Sequence, residues 1–158
     1  MKYCTYVLSP CGTIQIEGDE NTILAIRFQE GRPYEELPMP LAIQQIVQEL
    51  SLYFAGKLSS FSAPLQIQGT PFQKSVWEEL QKIPYGETRS YQEIAISLGK
   101  PTGYRAVAMA NRANPFAIII PCHRVIYKGG SLGGYAGGLE KKQWLLEQER
   151  IQAINLPK

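Results

Sequence analysis

The hydrophobic pattern changes period along the chain. Residues 2–9, 13–17 and 22–29 are short β-rich runs, broken by Pro10-Cys11-Gly12 and by Gly18-Asp19-Glu20-Asn21. In the second run Ile14 and Ile16 alternate with Gln15 and Glu17, the period-two pattern of a strand with one wet face. A Pro-rich loop is expected over 31–40. The period then lengthens over 41–55, where Ile43, Ile46, Val47, Leu50, Tyr53 and Phe54 line one helical face and Gly56 supplies a stop. This predicts a small sheet with a helix packed on it. Residues 57–69 are less regular and lead toward a linker.

The second half opens on a helix signal. Thr70 reads as an N-cap with Pro71 at the first helical position, and Phe72, Val76 and Leu80 form the apolar stripe. Pro84-Tyr85-Gly86 ends it. Ser90-Tyr91-Gln92-Glu93 has the form of a capping box, followed by Ile94, Ala95 and Leu98 and then Gly99. Pro101-Thr102 opens another short helix carrying Arg105, Val107 and Ala110. Two short helices across such a turn resemble a helix-turn-helix, whose second helix is where DNA contacts are made. Packed helix pairs without DNA share the pattern. Residues 116–120 predict a buried strand running into Pro121-Cys122-His123-Arg124. Six glycines between Gly129 and Gly138 permit tight turns and close backbone approach to a ligand, without the spacing of a P-loop. Residues 139–150 close the chain as a helix with Trp144, Leu145 and Ile151 for packing.

At 158 residues, 44% hydrophobic and 19% charged, the chain suits one large or two small globular domains and excludes a disordered or fibrous protein. The longest apolar run, 116–120, is far short of a membrane span. The start has no apolar block of signal-peptide length, so a cytoplasmic protein with no membrane partner is expected. Three cysteines argue against a disulfide framework. The net charge of +2 hides an asymmetry. Residues 1–69 hold four Lys/Arg against seven Asp/Glu, and residues 70–158 hold twelve against seven. Between Lys82 and Lys128 seven basic residues face only Glu87 and Glu93. That stretch fits either a polyanion footprint or a solvated face.

The only histidine, His123, adjoins Cys122. A thiol becomes a useful nucleophile when a base or positive charge lowers its pKa, and His123 and Arg124 stand beside this one. In extended chain, neighbours point to opposite faces, so a direct Cys122–His123 bond needs a turn or a bridging water. A buried, inert cysteine beside a structural histidine fits these residues equally. A zinc site from Cys4, Cys11, Cys122 and His123 lacks any C-x-x-C or H-x-x-x-H spacing, and no metal is expected.

Ile120-Pro-Cys-His-Arg-Val-Ile126 resembles the active-site motif of the methylated-DNA–protein-cysteine methyltransferases, the O6-alkylguanine-DNA alkyltransferases. Phe72-Gln73 with Val76-Trp77, Ile83-Pro84-x-Gly86-x-Thr88, Ser90-Tyr91, Ile94-Ala95, Arg105-Ala106-Val107, Asn114-Pro115 and Leu132-Gly133-Gly134-Tyr135 follow the family's order and spacing. The resemblance covers residues 70–150. It implies direct reversal of DNA damage: an alkyl group passes from O6 of guanine, or as a lesser substrate O4 of thymine, to Cys122. A thioether is not readily hydrolysed, so one turnover per molecule is implied, with no cofactor. The partner implied is double-stranded DNA, bound through its minor groove with the damaged base flipped out, by a monomer.

The same resemblance implies residue roles. Cys122 is the nucleophile, and His123 the base, reaching the thiol through a water. Glu149 orients His123, with Glu147 as its rival. Asn114 is the hinge before the cysteine segment. Tyr91 rotates the nucleotide out and donates a proton as guanine leaves. Arg105 is the finger that fills the vacated stack. Gln92, Lys100 and Lys128 are candidates for DNA-backbone contacts, and Tyr135 and Ala136 line the substrate pocket. Ala108 stands where the motif commonly has Gly, and Ala136 where some members have Ser. Histidines for the N-terminal zinc site of some members are absent.

The expected architecture is α+β: an N-terminal sheet-plus-helix domain over 1–66, and a mainly helical domain over 70–158 with a winged helix-turn-helix-like DNA-binding unit. Two other classes are weighed. A non-catalytic DNA-damage binder or regulator needs Arg105 and Tyr91 but no reactive thiol. A cysteine hydrolase needs turnover and has no use for the basic helix pair.

Overall fold

Three strands follow one another as an antiparallel meander: β1 (Tyr3–Ser9), β2 (Gly12–Gly18) and β3 (Ile23–Phe28), in the order β1-β2-β3. This computed structural model describes residues 1–32 and 38–155. Residues 33–37 of the expected Pro-rich loop and the last three residues lie outside that description. The β1–β2 register runs from Tyr3 opposite Gly18 to Ser9 opposite Gly12, and a bulge at Glu17/Gly18 shifts the β2–β3 register. Ile14 and Ile16 of β2 and Ile23, Ala25 and Ile26 of β3 are buried. Helix α1 (Leu41–Phe54) turns Ile43, Ile46, Leu50 and Tyr53 into the same core and packs on β1 and β2.

Residues 62–66, read from sequence as approaching a linker, are part of this unit. Leu65 forms a parallel bridge with Ile23. The Glu49 carboxylate of α1 accepts from the backbone N–H groups of Ser62 and Ala63 and from the Ser62 hydroxyl. The chain divides into two units, Met1–Ile67 and Gln68–Lys158.

In the second unit α2 (Pro71–Leu80) and α3 (Tyr91–Ser97) both begin in complete capping boxes, Thr70 with Gln73 and Ser90 with Glu93. Such caps supply orphan helix N–H groups with partners, each worth about 1 kcal/mol. Helix α4 (Tyr104–Arg112) has no side-chain cap, and it packs on α2 and α3. Buried Trp77 of α2 donates its indole N–H to the Ala110 carbonyl of α4 at 2.8 Å. The outer face of α4 exposes Arg105, Met109 and Arg112. The two-residue strands β4 (Arg89–Ser90) and β5 (Val125–Ile126) pair in parallel. That short ladder sets the start of α3 beside the segment that follows Cys122.

Two sequence expectations fail here. Residues 116–120 are no strand but a tight turn, with Ile120 N–H bonded to the Phe116 carbonyl and Ile119 N–H to that of Ala117. Asn114 supplies the alternative to a ladder: its Nδ2 donates to the Ile120 carbonyl at 2.8 Å and its Oδ1 accepts from Phe116 N–H at 2.9 Å. Buried Ile118 sits at φ 72°, a left-handed conformation that costs a β-branched residue about 1–3 kcal/mol.

The last helix, α5 (Leu139–Asn155), is the second. It is longer than expected, and the side chains it buries are Lys142, Leu145 and Glu149. Ile151 is exposed, and Trp144 is only partly covered. Apolar periodicity misses this face because two of its three buried residues are charged. Among the described residues no helix is long and apolar enough to cross a membrane.

Candidate active site

Cys122, His123 and Arg124 form a single 3-10 turn directly after Pro121, and all three are buried. The turn replaces the extended geometry that had separated the cysteine and histidine side chains. Glu149 lies under it from α5. Its Oε2 is 2.7 Å from His123 Nε2, and Arg124 closes a fork onto it, Nε to Oε1 at 2.8 Å and Nη2 to Oε2 at 3.0 Å. Arg124 Nη1 is spent on the Ile83 carbonyl. Glu147 instead pairs with Arg150 in solvent, so Glu149 is the carboxylate that meets the histidine.

The electrostatics of this cluster follow from burial and pairing. Burial alone would raise the Glu149 pKa, but the His123 and Arg124 hydrogen bonds and charges outweigh it and keep the carboxylate ionised. Burial lowers the His123 pKa below its ordinary value despite Glu149, so the imidazole is neutral at pH 7. A neutral imidazole that donates Nε2–H to a carboxylate carries its lone pair on Nδ1. His123 Nδ1 is buried with no hydrogen-bond partner among the described residues.

The thiol corrects another expectation. Burial pushes the Cys122 pKa up, and the Asn114 hydrogen bond and the Lys142 charge only partly offset it. Its neighbours therefore do not hold a resting thiolate. They form a base that can take the proton when the thiol reacts.

Tyr91, at the first position of α3, is 2% exposed. Burial, with Tyr127 and Cys122 adding to it, pushes its phenol up to about 12, so it is a protonated donor near neutrality. Asn114 ties the turn before the thiol. Tyr135 is half-buried and Ala136 exposed in the glycine-rich segment. Arg105, Lys100 and Lys128 are exposed, and Arg105 lies 5.8 Å from the Tyr104 ring. Gln92 is partly buried, with an Oε1 that has no partner. Among the described residues no group of three or more His, Cys, Asp or Glu side chains could hold a metal.

Sequence reasoning gave no role to Asn111, Lys142 or Tyr127, and named Arg124 only as a charge beside the thiol. Arg124 fixes Glu149. Asn111 is buried on α4 and donates Nδ2 to the Cys122 carbonyl at 3.2 Å. Lys142 is fully buried and, among the described residues, has no carboxylate partner. Its ammonium donates to the carbonyls of Val125 (2.6 Å), Leu132 and Gly134 (3.3 Å), pinning the glycine-rich segment to the end of the cysteine turn. Burial brings its pKa down to about 8, the Cys122 charge acting against that fall. Tyr127 packs on Tyr91 with ring centroids 4.9 Å apart. The one available signal was the seven-residue spacing of Lys142 and Glu149 around Leu145, two turns along one helix face.

A small meander with a helix, and a helical unit that seats a buried cysteine over a His–Glu–Arg cluster, define an α+β protein with the parts of a base-assisted thiol nucleophile. The model of the 6-O-methylguanine DNA methyltransferase DNA-binding domain matches residues 71–151, and that of the ribonuclease-like domain of the same family matches residues 2–67. The chain belongs to the 6-O-methylguanine DNA methyltransferase family. It is 48% identical over 152 residues to a methylated-DNA–protein-cysteine methyltransferase of Methanosarcina barkeri, covering 93% of this chain and 96% of that one. A Mycobacterium tuberculosis protein of the same name is 46% identical over 92% of this chain and 90% of its own length. The crystal structure of the M. tuberculosis O6-methylguanine methyltransferase superposes with a TM-score of 0.86 at 44% identity, covering 96% of this chain and 94% of that one. An M. tuberculosis OGT in complex with DNA matches with the same score and identity, over 94% of this chain and 93% of that chain.

Proposed function

We propose that this protein repairs DNA by taking the alkyl group of O6-alkylguanine, and less readily that of O4-alkylthymine, onto Cys122 in a single turnover. One observation carries the reading. His123 is bound at Nε2 to Glu149, while its Nδ1, on the residue next to the thiol, has no partner among the described residues. That is the resting arrangement of a general base beside its nucleophile.

In this reading the Cys122 proton passes through a bridging water to His123 Nδ1, and Glu149 stabilises the imidazolium that forms. The sulfur then attacks the alkyl carbon. The carbon–sulfur bond forms as the carbon–O6 bond breaks, and the electron pair stays with guanine. Tyr91 gives the departing guanine a proton and recovers one from the imidazolium. One proton leaves the thiol and one arrives on the base, so no cofactor is consumed.

The DNA side is inferred from the exposed face of α4. Arg105 fills the stack vacated by the flipped base, with α4 in the minor groove. Gln92, Lys100 and Lys128 contact the backbone, Tyr135 and Ala136 line the pocket, and a single chain suffices. The names of the relatives and their DNA complex support this reading.

The test is to mix the protein with duplex DNA carrying one O6-methylguanine and map the product by mass spectrometry. One methyl group on Cys122, none on Cys4 or Cys11, and no second turnover are expected. DNA binding without a mark on Cys122 would indicate a damage-binding protein, and repeated turnover would remove the single-use mechanism.

A further inference from the structure

Tyr127 is not accounted for by the relay or by the exposed face of α4. It follows β5 and closes a tight turn, its N–H bonded to the Ser131 carbonyl and its carbonyl to Gly130 N–H. Its ring meets Tyr91 at 4.9 Å between centroids and a 50° tilt. Gly133, at φ 72°, lies against both rings: a Cβ there would stand 2.9 Å from the Tyr91 hydroxyl and 3.1 Å from Tyr127 Cε2. The carbonyls on either side of Gly133 are those held by Lys142. The two phenols are therefore seated on a backbone wall that Lys142 pins in place.

The rings differ in access. Tyr91 is 2% exposed and Tyr127 is 41% exposed. Tyr127 therefore presents open ring surface directly beside the buried Tyr91 phenol, the group that meets the departing guanine in the alkyl-transfer reading. A pre-positioned, half-open aromatic ring is what an unstacked nucleobase binds, because every base has a π-face to place on it.

We propose that Tyr127 is a substrate-contacting, specificity-determining residue that stacks on the extruded alkylated base at the mouth of the Cys122 pocket. The proposal rests on the alkyl-transfer reading above. It goes beyond that reading by giving affinity for the base itself to a residue outside the relay. The ligand class is a planar purine carrying an O6 substituent, and the contact needs no duplex.

The test uses the full chain and two probes, free O6-benzylguanine and duplex DNA with one O6-methylguanine, in single-turnover reactions read by mass on Cys122. Stacking is worth about 1–3 kcal/mol per base, roughly five-fold to a hundred-fold in affinity. Tyr127→Leu, which keeps bulk but not the flat ring, should raise the half-saturating concentration of both probes by that factor, with the limiting rate changed less than about three-fold. Tyr127→Phe should restore the wild-type half-saturation. Thermal unfolding of each variant reports whether the wall still folds. An unchanged half-saturation with either probe, or a loss confined to the limiting rate, would overturn the proposal and leave Tyr127 as a buttress of Tyr91. Wild-type labelling of Cys122 in the same reactions reads the transfer chemistry separately.

Discussion

Each unit buries a glutamate on a helix, and the two are used differently. Glu49 of α1 is 9% exposed and, among the described residues, accepts from the peptide N–H groups of Ser62 and Ala63 and the Ser62 hydroxyl. Glu149 of α5 is 1% exposed and accepts from His123 and Arg124. The first ties a returning loop to a helix. The second holds the His123 ring and, in the proposed reaction, balances its charge when it protonates. A buried carboxylate is thus no sign of chemistry by itself; the titratability of its partners decides.

Exchanging each carboxylate for its amide gives the widest separation. Glu149→Gln should slow alkyl transfer by about 10²–10⁴, the usual share of a general base, measured as a single-turnover rate on alkylated duplex. Glu49→Gln should leave that rate unchanged and cost about 1–3 kcal/mol in urea unfolding through its mismatched N–H partners. A slow Glu49 variant, or a fast Glu149 variant, would break the distinction.

The same contrast applies to two arginines of the second unit. Arg124 is buried on Glu149, while Arg105 is exposed on α4. If Arg105 fills the vacated stack, Arg105→Ala should slow transfer from duplex by roughly ten-fold to a hundred-fold, the extrusion cost being a few kcal/mol. Transfer from free O6-benzylguanine should be barely affected. An equal loss on both substrates would mean that Arg105 supports the pocket. A salt slope smaller by ~0.9 with an unchanged limiting rate would mark a phosphate contact.

Lys142 sharpens the comparison because, like Glu49, its hydrogen-bond partners among the described residues are neutral, yet it lies beside the thiol. Lys142→Met should cost about 1–3 kcal/mol, since three carbonyls lose a charged donor. It should also move the thiol in a direction that no Glu49 variant does. The Lys142 charge pulls the Cys122 pKa down, so its removal raises that pKa further. Thiol alkylation rate against pH checks the direction.

The smallest effect is the pH profile of the wild type. His123 must be neutral to accept the proton, and burial lowers its pKa from 6.5, so the acid limb should fall below pH 6.5. The thiol is raised above 9.0, so direct thiolate attack gains only above that value. Between these limits an inflection is expected near pH 8, where Lys142 loses the charge that lowers the thiol pKa and holds the glycine-rich segment. A limb centred at or above pH 6.5 would mean that Glu149 outweighs burial at His123.

Much of the fold is legible in the chain because the relevant forces are local. Alternating Ile14 and Ile16, the stripe from Ile43 to Tyr53 and the paired caps at Thr70 and Ser90 each specify an element within a few residues. Residues 116–120 misread as a strand for the same reason: five apolar residues signal burial but not backbone conformation. Asn114, outside that run, supplies the bonds that turn it. The resemblance around Ile120–Ile126 pointed to Cys122 and His123 and left Glu149 with Glu147 as its rival, and it did not assign partners to Arg124, Lys142, Asn111 or Tyr127.

By itself the sequence determined the two-part order of elements, the family and the candidate nucleophile with its neighbour, because these reside in spacing and residue type. Tertiary structure decided which carboxylate meets His123, which cation holds the glycine-rich segment and which way the thiol titrates. Those outcomes depend on burial and on groups 8 to 26 residues apart being brought within hydrogen-bond distance. No local pattern encodes that separation: a charged residue on a helix reads as solvated until the fold removes the solvent.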